Sequence, residues 1–268
     1  MAKPNVMVLT GYGINCDEET KFAFEKVGAK GELVHINDLI DKNKSLLDYQ
    51  ILSLPGGFSY GDDTGAGNAL SNRIRNHLWD EVLRFVESDR LAIGICNGFQ
   101  IMVNLGLLPA INDNYGKRQV ALLHNTTARY IDRWVDLKFE DQTVWTRELT
   151  TASFPIAHGE GKFYADAETL KIIEERSLVA ARYVNGEIHR IESQQSNHNP
   201  NGSLNDIAAI SDESGRLLGI MPHPERAIEF TQHPHWTLHK EMYRRAGKEI
   251  SNTLLGIQIF KNGVEYFS

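Results

Sequence analysis

Residues 91–109, LAIGICNGFQIMVNLGLLP, decide how the rest of the chain is arranged. The first five are apolar without interruption, which favours a strand buried on both faces of a parallel sheet. After Gly94, Cys96 and Gly98, apolar side chains recur at helical spacing until Gly106 provides a C-cap. The stretch therefore predicts a strand, a tight turn that carries Cys96, and a helix.

The turn has the pattern of a nucleophile elbow with sulfur in place of oxygen. Glycines two residues before and after Cys96 let the strand and the helix approach closely, where Cβ atoms would collide with them. The N-terminus of the helix favours a thiolate and leaves main-chain N–H groups free for an oxyanion. A buried structural cysteine is the alternative, since free cysteine is among the most buried residues. The glycine spacing favours the nucleophile.

Length and composition restrict the class of protein. The 268 residues, 41% of them hydrophobic, suffice for one large domain, and we expect a single domain over residues 1–268. The net charge of −7 argues against non-specific nucleic-acid binding. No apolar run is long enough to span a membrane, and the N-terminus lacks the features of a secretory signal. With Cys96 as a reactive thiol and Cys16 as a structural one, we expect a reduced, cytoplasmic protein.

Strands and helices alternate at the start of the chain. The pattern predicts strands at residues 6–9, 33–36, 49–54 and 91–95, with helices at 17–27 and 69–87. Such alternation indicates an α/β fold whose central sheet is mostly parallel, with helices on both faces. Active residues in such folds lie beyond the carboxyl ends of the strands, which is where Gly56, Gly57 and Cys96 fall.

Beyond residue 119 the pattern changes. Short apolar or alternating runs at residues 120–127, 130–139 and 153–158 predict antiparallel strands laid on the sheet as an added β layer. Further along we predict a helix at 165–176, a strand at 179–184, a hairpin of strands 207–211 and 217–221, and a last helix at 236–246. Residues 193–205 are almost entirely turn-forming.

A histidine and a carboxylate follow the last predicted strand. His223 stands at its end, and Glu225 comes two residues later. With Cys96 as nucleophile, His223 would take its proton and later protonate the leaving amine, while Glu225 would hold the imidazole tautomer. The main-chain N–H groups of Gly57 and Asn97 are natural donors to an oxyanion. A capping or core histidine is the alternative for His223 by itself.

Motifs along nearly the whole chain resemble those of one enzyme family. The elbow with its late histidine and glutamate resembles the class I (triad) glutamine amidotransferases. Within that family, the chain resembles the glutaminase subunits of phosphoribosylformylglycinamidine synthases. The motifs that carry the resemblance are PGGFSYGDD (55–63), GICNGFQ (94–100), AHGEG (157–161), NPNGS (199–203) and MPHPER (221–226), together with Asn15-Cys16-Asp17.

The resemblance implies a flavodoxin-like fold and a two-protein reaction. L-glutamine would be hydrolysed through a γ-glutamyl thioester on Cys96, and the ammonia would pass to a large ATP-dependent synthetase subunit. That partner would convert formylglycinamide ribonucleotide to formylglycinamidine ribonucleotide in de novo purine synthesis. ATP and Mg²⁺ would bind the partner, so no cofactor or metal is expected in this chain. Many such complexes also contain a small bridging subunit.

The resemblance also assigns residues outside the triad. Those of the oxyanion hole and glutamine-binding site would be Gly56, Gly57, Asn97 and Gln100. Those of a partner interface or ammonia exit would be His158, Glu160, Asn199 and Asn201. Satisfied polar turns are the alternative for the second group, because Asn, Pro and Gly explain turns by themselves.

Other interpretations stay open on the residues alone. Asp62 and Asp63 form a possible acid pair, although a solvated loop is favoured. A zinc site at His233, His235 and His239 lacks an obvious further ligand. For the whole chain, the alternatives are an amidotransferase subunit for another synthetase, a Cys-dependent hydrolase of related fold, and a non-catalytic scaffold.

Overall fold

The fold is built on a nine-stranded sheet in a computed structural model that describes residues 3–61, 64–140, 143–192 and 197–268. The strands of this described part are β1 (Asn5–Thr10), β2 (Lys30–His35), β3 (Ile51–Leu54), β4 (Leu91–Ile95), β5 (Ala121–His124), β6 (Ile131–Phe139), β7 (Thr151–His158), β8 (Glu160–Tyr164), β9 (Val179–Val184), β10 (Ile207–Ser211) and β11 (Leu217–Ile220). Its helices are α1 (Asp17–Lys26), α2 (Ile36–Ile40), α3 (Asn68–Val86), α4 (Asn97–Leu105), α5 (Ala167–Glu175), α6 (Glu187–Glu192), α7 (Trp236–Arg245) and α8 (Gly256–Glu265). Within these described ranges, no helix is long and apolar enough to cross a membrane.

The strands of the large sheet lie in the order β2-β1-β3-β4-β11-β10-β9-β6-β7. The first five run parallel to one another, and α1 and α4 pack on them. Strand β4 is buried along its whole length, as its uninterrupted apolar run predicts. The predicted α/β fold is therefore confirmed, and the parallel half of the sheet carries the elbow.

The later strands differ in placement from the prediction. Strands β6 and β7 do not lie on the sheet but extend it, because β6 pairs with the open edge of β9 and β7 pairs with β6. An unpaired edge strand presents free N–H and C=O groups, which β6 satisfies. Among the residues that the structure describes, the separate antiparallel layer consists of β5 and β8 alone.

Main-chain contact fixes the turn between β4 and α4. A Cβ atom at Gly98 would lie 1.7 Å from the carbonyl oxygen of Leu54 at the end of β3. A Cβ atom at Gly94 would lie 2.6 Å from the carbonyl oxygen of Gly98. Between them, Cys96 has φ +51° and ψ −105°, a strained conformation for a residue with a side chain. The elbow predicted from the glycine spacing is thus confirmed, and both glycines are steric requirements.

We expect Gly98→Ala to lower the free energy of unfolding by about 3 kcal/mol, because the added methyl group forces α4 away from β3. Gly159→Ala is the matched control, since an added Cβ atom there has no neighbour within 4 Å. Urea unfolding of the two variants followed by circular dichroism measures the difference. Equal stabilities would show that the contact with Leu54 does not constrain the fold.

Candidate active site

Two neighbouring strand ends bring Cys96 and His223 together. Strands β4 and β11 are parallel and in register at their ends, and the N–H of Cys96 donates to the carbonyl oxygen of Ile220 at 2.8 Å. The N–H of His223 donates to the carbonyl oxygen of Pro155 at 2.8 Å, which ties the histidine to β7. Residues far apart in sequence therefore meet at the carboxyl edge of the sheet, where the topology predicts a site.

His223 and Glu225 form a buried ion pair. His223 Nδ1 lies 2.5 Å from Glu225 Oε1, and the two side chains are 2% and 0% exposed. Burial lowers the pKa of His223, but the Glu225 carboxylate and the Cys96 sulfur outweigh it and raise that pKa well above its usual value. With Nδ1 bonded to the carboxylate, His223 has Nε2 available for proton transfer.

The sulfur of Cys96 lies below the surface beside β7. The residue is 4% exposed, and its Sγ is 3.8 Å from the carbonyl oxygen of Ala157. It also interacts with the imidazole of His223. The thiol is thus placed between the helix N-terminus, the imidazole and a strand end.

One predicted oxyanion donor, Gly57, stands on the loop after β3, and the other, Asn97, stands at the start of α4. Gly57 has φ +152°, and a Cβ atom there would lie 2.6 Å from the carbonyl oxygen of Gly13, so the position requires glycine. The N–H of Phe58 donates to that same oxygen at 2.7 Å, which fixes the loop. Among the residues that the structure describes, neither Gly57 N–H nor Asn97 N–H donates a hydrogen bond. Both are available to a ligand, and their role in an oxyanion hole stays a prediction.

Side chains of the first turn of α4 connect the elbow to the AHGEG motif. Asn97 Nδ2 donates to Gln100 Oε1 at 2.9 Å, and Gln100 Nε2 donates to the carbonyl oxygen of Glu160 at 2.5 Å. The Glu160 carboxylate accepts from the N–H of Ala66 at 3.1 Å. Gln100 and Glu160 therefore fix the walls of the site, and their roles toward glutamine or ammonia stay predictions.

His158 is buried and neutral. Its Nδ1 lies 3.1 Å from Asn125 Oδ1, and its ring packs on Gly161, where a Cβ atom would be 2.3 Å from it. Burial, followed by the charge of His223, lowers the pKa of His158 to about 3. This contact explains the last glycine of AHGEG sterically, and a role of His158 in ammonia transfer stays a prediction.

The NPNGS motif closes on itself inside the fold. Asn201 is 0% exposed, with Nδ2 donating to the carbonyl oxygen of Gly161 at 2.8 Å and Oδ1 accepting from Ser203 Oγ at 2.7 Å. Asn199 Oδ1 accepts from the N–H of Gly202 at 2.8 Å, which forms a tight turn. Asn201 is therefore not exposed to a partner, because its side-chain amide is hydrogen-bonded to other groups of this chain. Its place near an ammonia exit stays a prediction.

Cys16, which the sequence suggests is structural, lies beside the triad. Its side chain is buried, and its sulfur lies within 4.8 Å of ligand atoms of both His223 and Glu225. Burial raises the pKa of the Cys16 thiol to about 11. The rule that active residues lie beyond the carboxyl ends of parallel strands applies to Cys16 as well, because it follows β1, a neighbour of β3 in the parallel half of the sheet.

The structure offers little support for a metal ion held by side chains of the described residues. Within the described ranges, Cys16, His223 and Glu225 are the only group of three potential ligands whose atoms lie within 4.8 Å of one another. A cation there would face the Arg226 guanidinium, whose Nη2 is 3.1 Å from Cys16 Sγ. His239 pairs with Glu187 at 2.6 Å. The pair Asp62 and Asp63 lies outside the described residues.

The known proteins to which this chain is similar carry the names of glutamine amidotransferases or of phosphoribosylformylglycinamidine synthase subunits. The family model described as CobB/CobQ-like glutamine amidotransferase domain matches residues 3–267. Phosphoribosylformylglycinamidine synthase subunit PurQ of Methanococcus maripaludis strain S2 is 47% identical over 267 residues, covering 99% of this chain and 98% of the relative. The subunit of the same name from Dehalococcoides mccartyi is 39% identical over 269 residues, covering 99% and 98%. The structure of PurLQS from Thermotoga maritima contains a chain with TM-score 0.72 and 29% identity, covering 100% of both chains.

We expect the burial of neutral His158 to make stability depend on pH. Between about pH 6.5 and pH 3 the unfolded chain binds a proton there that the folded chain does not, so stability falls as the pH is lowered. The contribution is about 1.4 kcal/mol per pH unit. Urea unfolding between pH 7 and pH 4 should give a shallower slope for His158→Asn than for the wild type.

The exposed His77, replaced by asparagine in the same way, is the control for removing a histidine. Its side chain is exposed in the folded chain, so His77→Asn should leave the slope unchanged. Equal slopes for wild type and His158→Asn would contradict the neutral state of the buried ring.

Proposed function

The chain belongs to the CobB/CobQ-like glutamine amidotransferase family, and on this premise we propose how its buried triad releases ammonia from glutamine. It is the glutaminase subunit of phosphoribosylformylglycinamidine synthase, as its full-length identity of 47% to a curated subunit supports. It works with an ATP-dependent synthetase subunit. We place the reaction in the cytoplasm and assign residues 1–268 to one glutaminase domain.

The observation that carries the proposed mechanism is the meeting of Cys96 with the buried His223–Glu225 pair. The Cys96 sulfur attacks the side-chain amide carbon of glutamine, forming a C–S bond while the carbonyl π electrons move to oxygen. The thiol proton passes to His223, where Glu225 stabilises the imidazolium. The raised pKa of His223 supports its charged form at this step.

The oxyanion then receives hydrogen bonds from Gly57 N–H and Asn97 N–H, which no other described residue occupies. Donors fixed by the main chain need no reorganisation as the charge develops, and each is typically worth about 100- to 1,000-fold in rate. The strain at Cys96 and the glycine requirement at Gly57 support this role, because both hold main-chain N–H groups at the site.

Collapse of the tetrahedral intermediate breaks the C–N bond. The His223 imidazolium gives its proton to the leaving nitrogen, so that ammonia departs and a γ-glutamyl thioester remains on Cys96. Water, deprotonated by His223, then attacks the thioester and releases glutamate, which restores the thiol. The thiol and His223 are restored, and the net reaction is glutamine plus water giving glutamate, ammonia and the one proton that the new carboxyl group loses to water.

The ammonia is used by the synthetase subunit on formylglycinamide ribonucleotide. ATP and Mg²⁺ belong to that partner's reaction. Burial of the triad serves this transfer, because ammonia formed below the surface is protected from dilution and protonation until it reaches the partner.

We expect Cys96→Ala to abolish glutamine-dependent synthesis by the reconstituted complex, since no thioester can form. Ammonium chloride should still support the reaction, because the synthetase and its docking are unchanged. The measurement is formation of formylglycinamidine ribonucleotide with each nitrogen donor. Glutamine-dependent activity at the wild-type rate in Cys96→Ala would exclude Cys96 as the nucleophile.

A further inference from the structure

A second layer of contacts lies behind the triad, where α1 begins. Arg226 follows Glu225 in the chain, yet its guanidinium points to α1, with Nε donating to Glu19 Oε1 at 2.6 Å. Its Nη2 donates to Cys16 Sγ at 3.1 Å. The beginning of α1 thus holds the arginine with one carboxylate and one sulfur.

The carboxylate next to this arginine has an unused oxygen. Glu225 Oε1 is bonded to His223, but Glu225 Oε2 is buried and, within the described part of the chain, has no hydrogen-bond partner. A guanidinium is the natural bidentate partner of such a carboxylate. Arg226 is the neighbouring residue, but it is bonded elsewhere.

We propose that Cys16 is a positioning residue that, together with Glu19, holds the guanidinium of Arg226 away from Glu225, so that this carboxylate serves His223 alone. The inference rests on the proposed roles of Cys96, His223 and Glu225. It also gives a function to the Asn15-Cys16-Asp17 motif, which the mechanism leaves unused.

A thiol suits this position better than a charged acceptor. Cys16 is 1% exposed, and burial keeps its thiol neutral, so it accepts from Arg226 without placing a second anion beside Glu225. Its sulfur also fills the space above Gly56, where a Cβ atom would be 3.0 Å from Cys16 Sγ and 2.7 Å from His223 Cε1. Cys16 and the imidazole therefore share one close-packed pocket.

Loss of the sulfur would change the charge felt by His223. The groups that interact with His223 are Glu225, Cys96, Cys16, His158, Tyr130 and, through Glu225, Arg226. Of the groups that raise the pKa of His223, Glu225 contributes most, followed by Cys96 and then by Cys16. If Arg226 turned to pair with Glu225, the contribution of that carboxylate would weaken, and His223 would lose its proton at lower pH.

The test is the pH dependence of kcat/KM for glutamine in the reconstituted complex. The alkaline limb of this pH profile, where the rate falls as the pH rises, reports the loss of the proton from His223. In Cys16→Ala we expect this limb to move to lower pH by about 1 unit, which is the low end of the effect of a nearby charge on a pKa. Above the limb the rate then falls about tenfold. Cys16→Ser keeps an acceptor for Arg226 and should stay near the wild type.

Ser71→Ala is the matched control, because it removes a buried heteroatom close to the beginning of another helix. It should leave the limb in place. A Cys16→Ala complex that unfolds more easily but keeps the wild-type limb would overturn the positioning role.

A second arm removes the arginine. In Arg226→Met the limb should not move to lower pH, and adding Cys16→Ala should produce no further shift, since no guanidinium is left to turn. A downward shift in either variant would contradict the proposal, even if Cys16→Ala alone failed to fold. In the same assay, glutamine-dependent activity that survives in Cys96→Ala would overturn the proposed triad itself. If Cys96→Ala is inactive with glutamine but Cys16→Ala keeps the wild-type alkaline limb of the pH profile, only the role of Cys16 is overturned.

Discussion

The contact of Gly98 with the carbonyl oxygen of Leu54 is the constraint on which the site depends. A methyl group at Gly98 would lie 1.7 Å from that oxygen, so α4 begins directly against the end of β3. This leaves Cys96 no room for a relaxed turn and puts it at φ +51°. The strain at Cys96 and the free N–H groups behind it follow from this one contact between main chains, and the pairing of β4 with β11 places Cys96 beside β11.

The charged groups of the site are also tightly packed. His223 and Glu225 are nearly without exposure, and burial of a charged pair is unfavourable unless its geometry is very good. The pair is short, and a guanidinium that would compete for the carboxylate is held by α1 instead. In this account the buried His223–Glu225 pair keeps its carboxylate for the imidazole because Arg226 has partners of its own.

Much of this fold could be predicted from local sequence patterns. Strands β4, β9 and β10 have the predicted bounds, and β4 and β10 are buried along their whole length, which leaves a clear signal in the sequence. The placement of β6 and β7 could not be predicted, since alternating apolar and polar residues indicate a strand but not the sheet edge with which it pairs. Helix α6 was missed because it is short, at six residues. The contact between Cys16 and Arg226 joins opposite ends of the chain, and no local pattern reports it.

The most direct measurement of the central claim is the detection of glutamate bound to Cys96 during turnover. The complex is mixed with ¹⁴C-labelled glutamine, quenched in acid during the steady state, digested and analysed by mass spectrometry. The account predicts label on the peptide that contains Cys96, in a bond that neutral hydroxylamine cleaves as it does a thioester. Turnover with no label on that peptide, or with the label on Cys16, would contradict it.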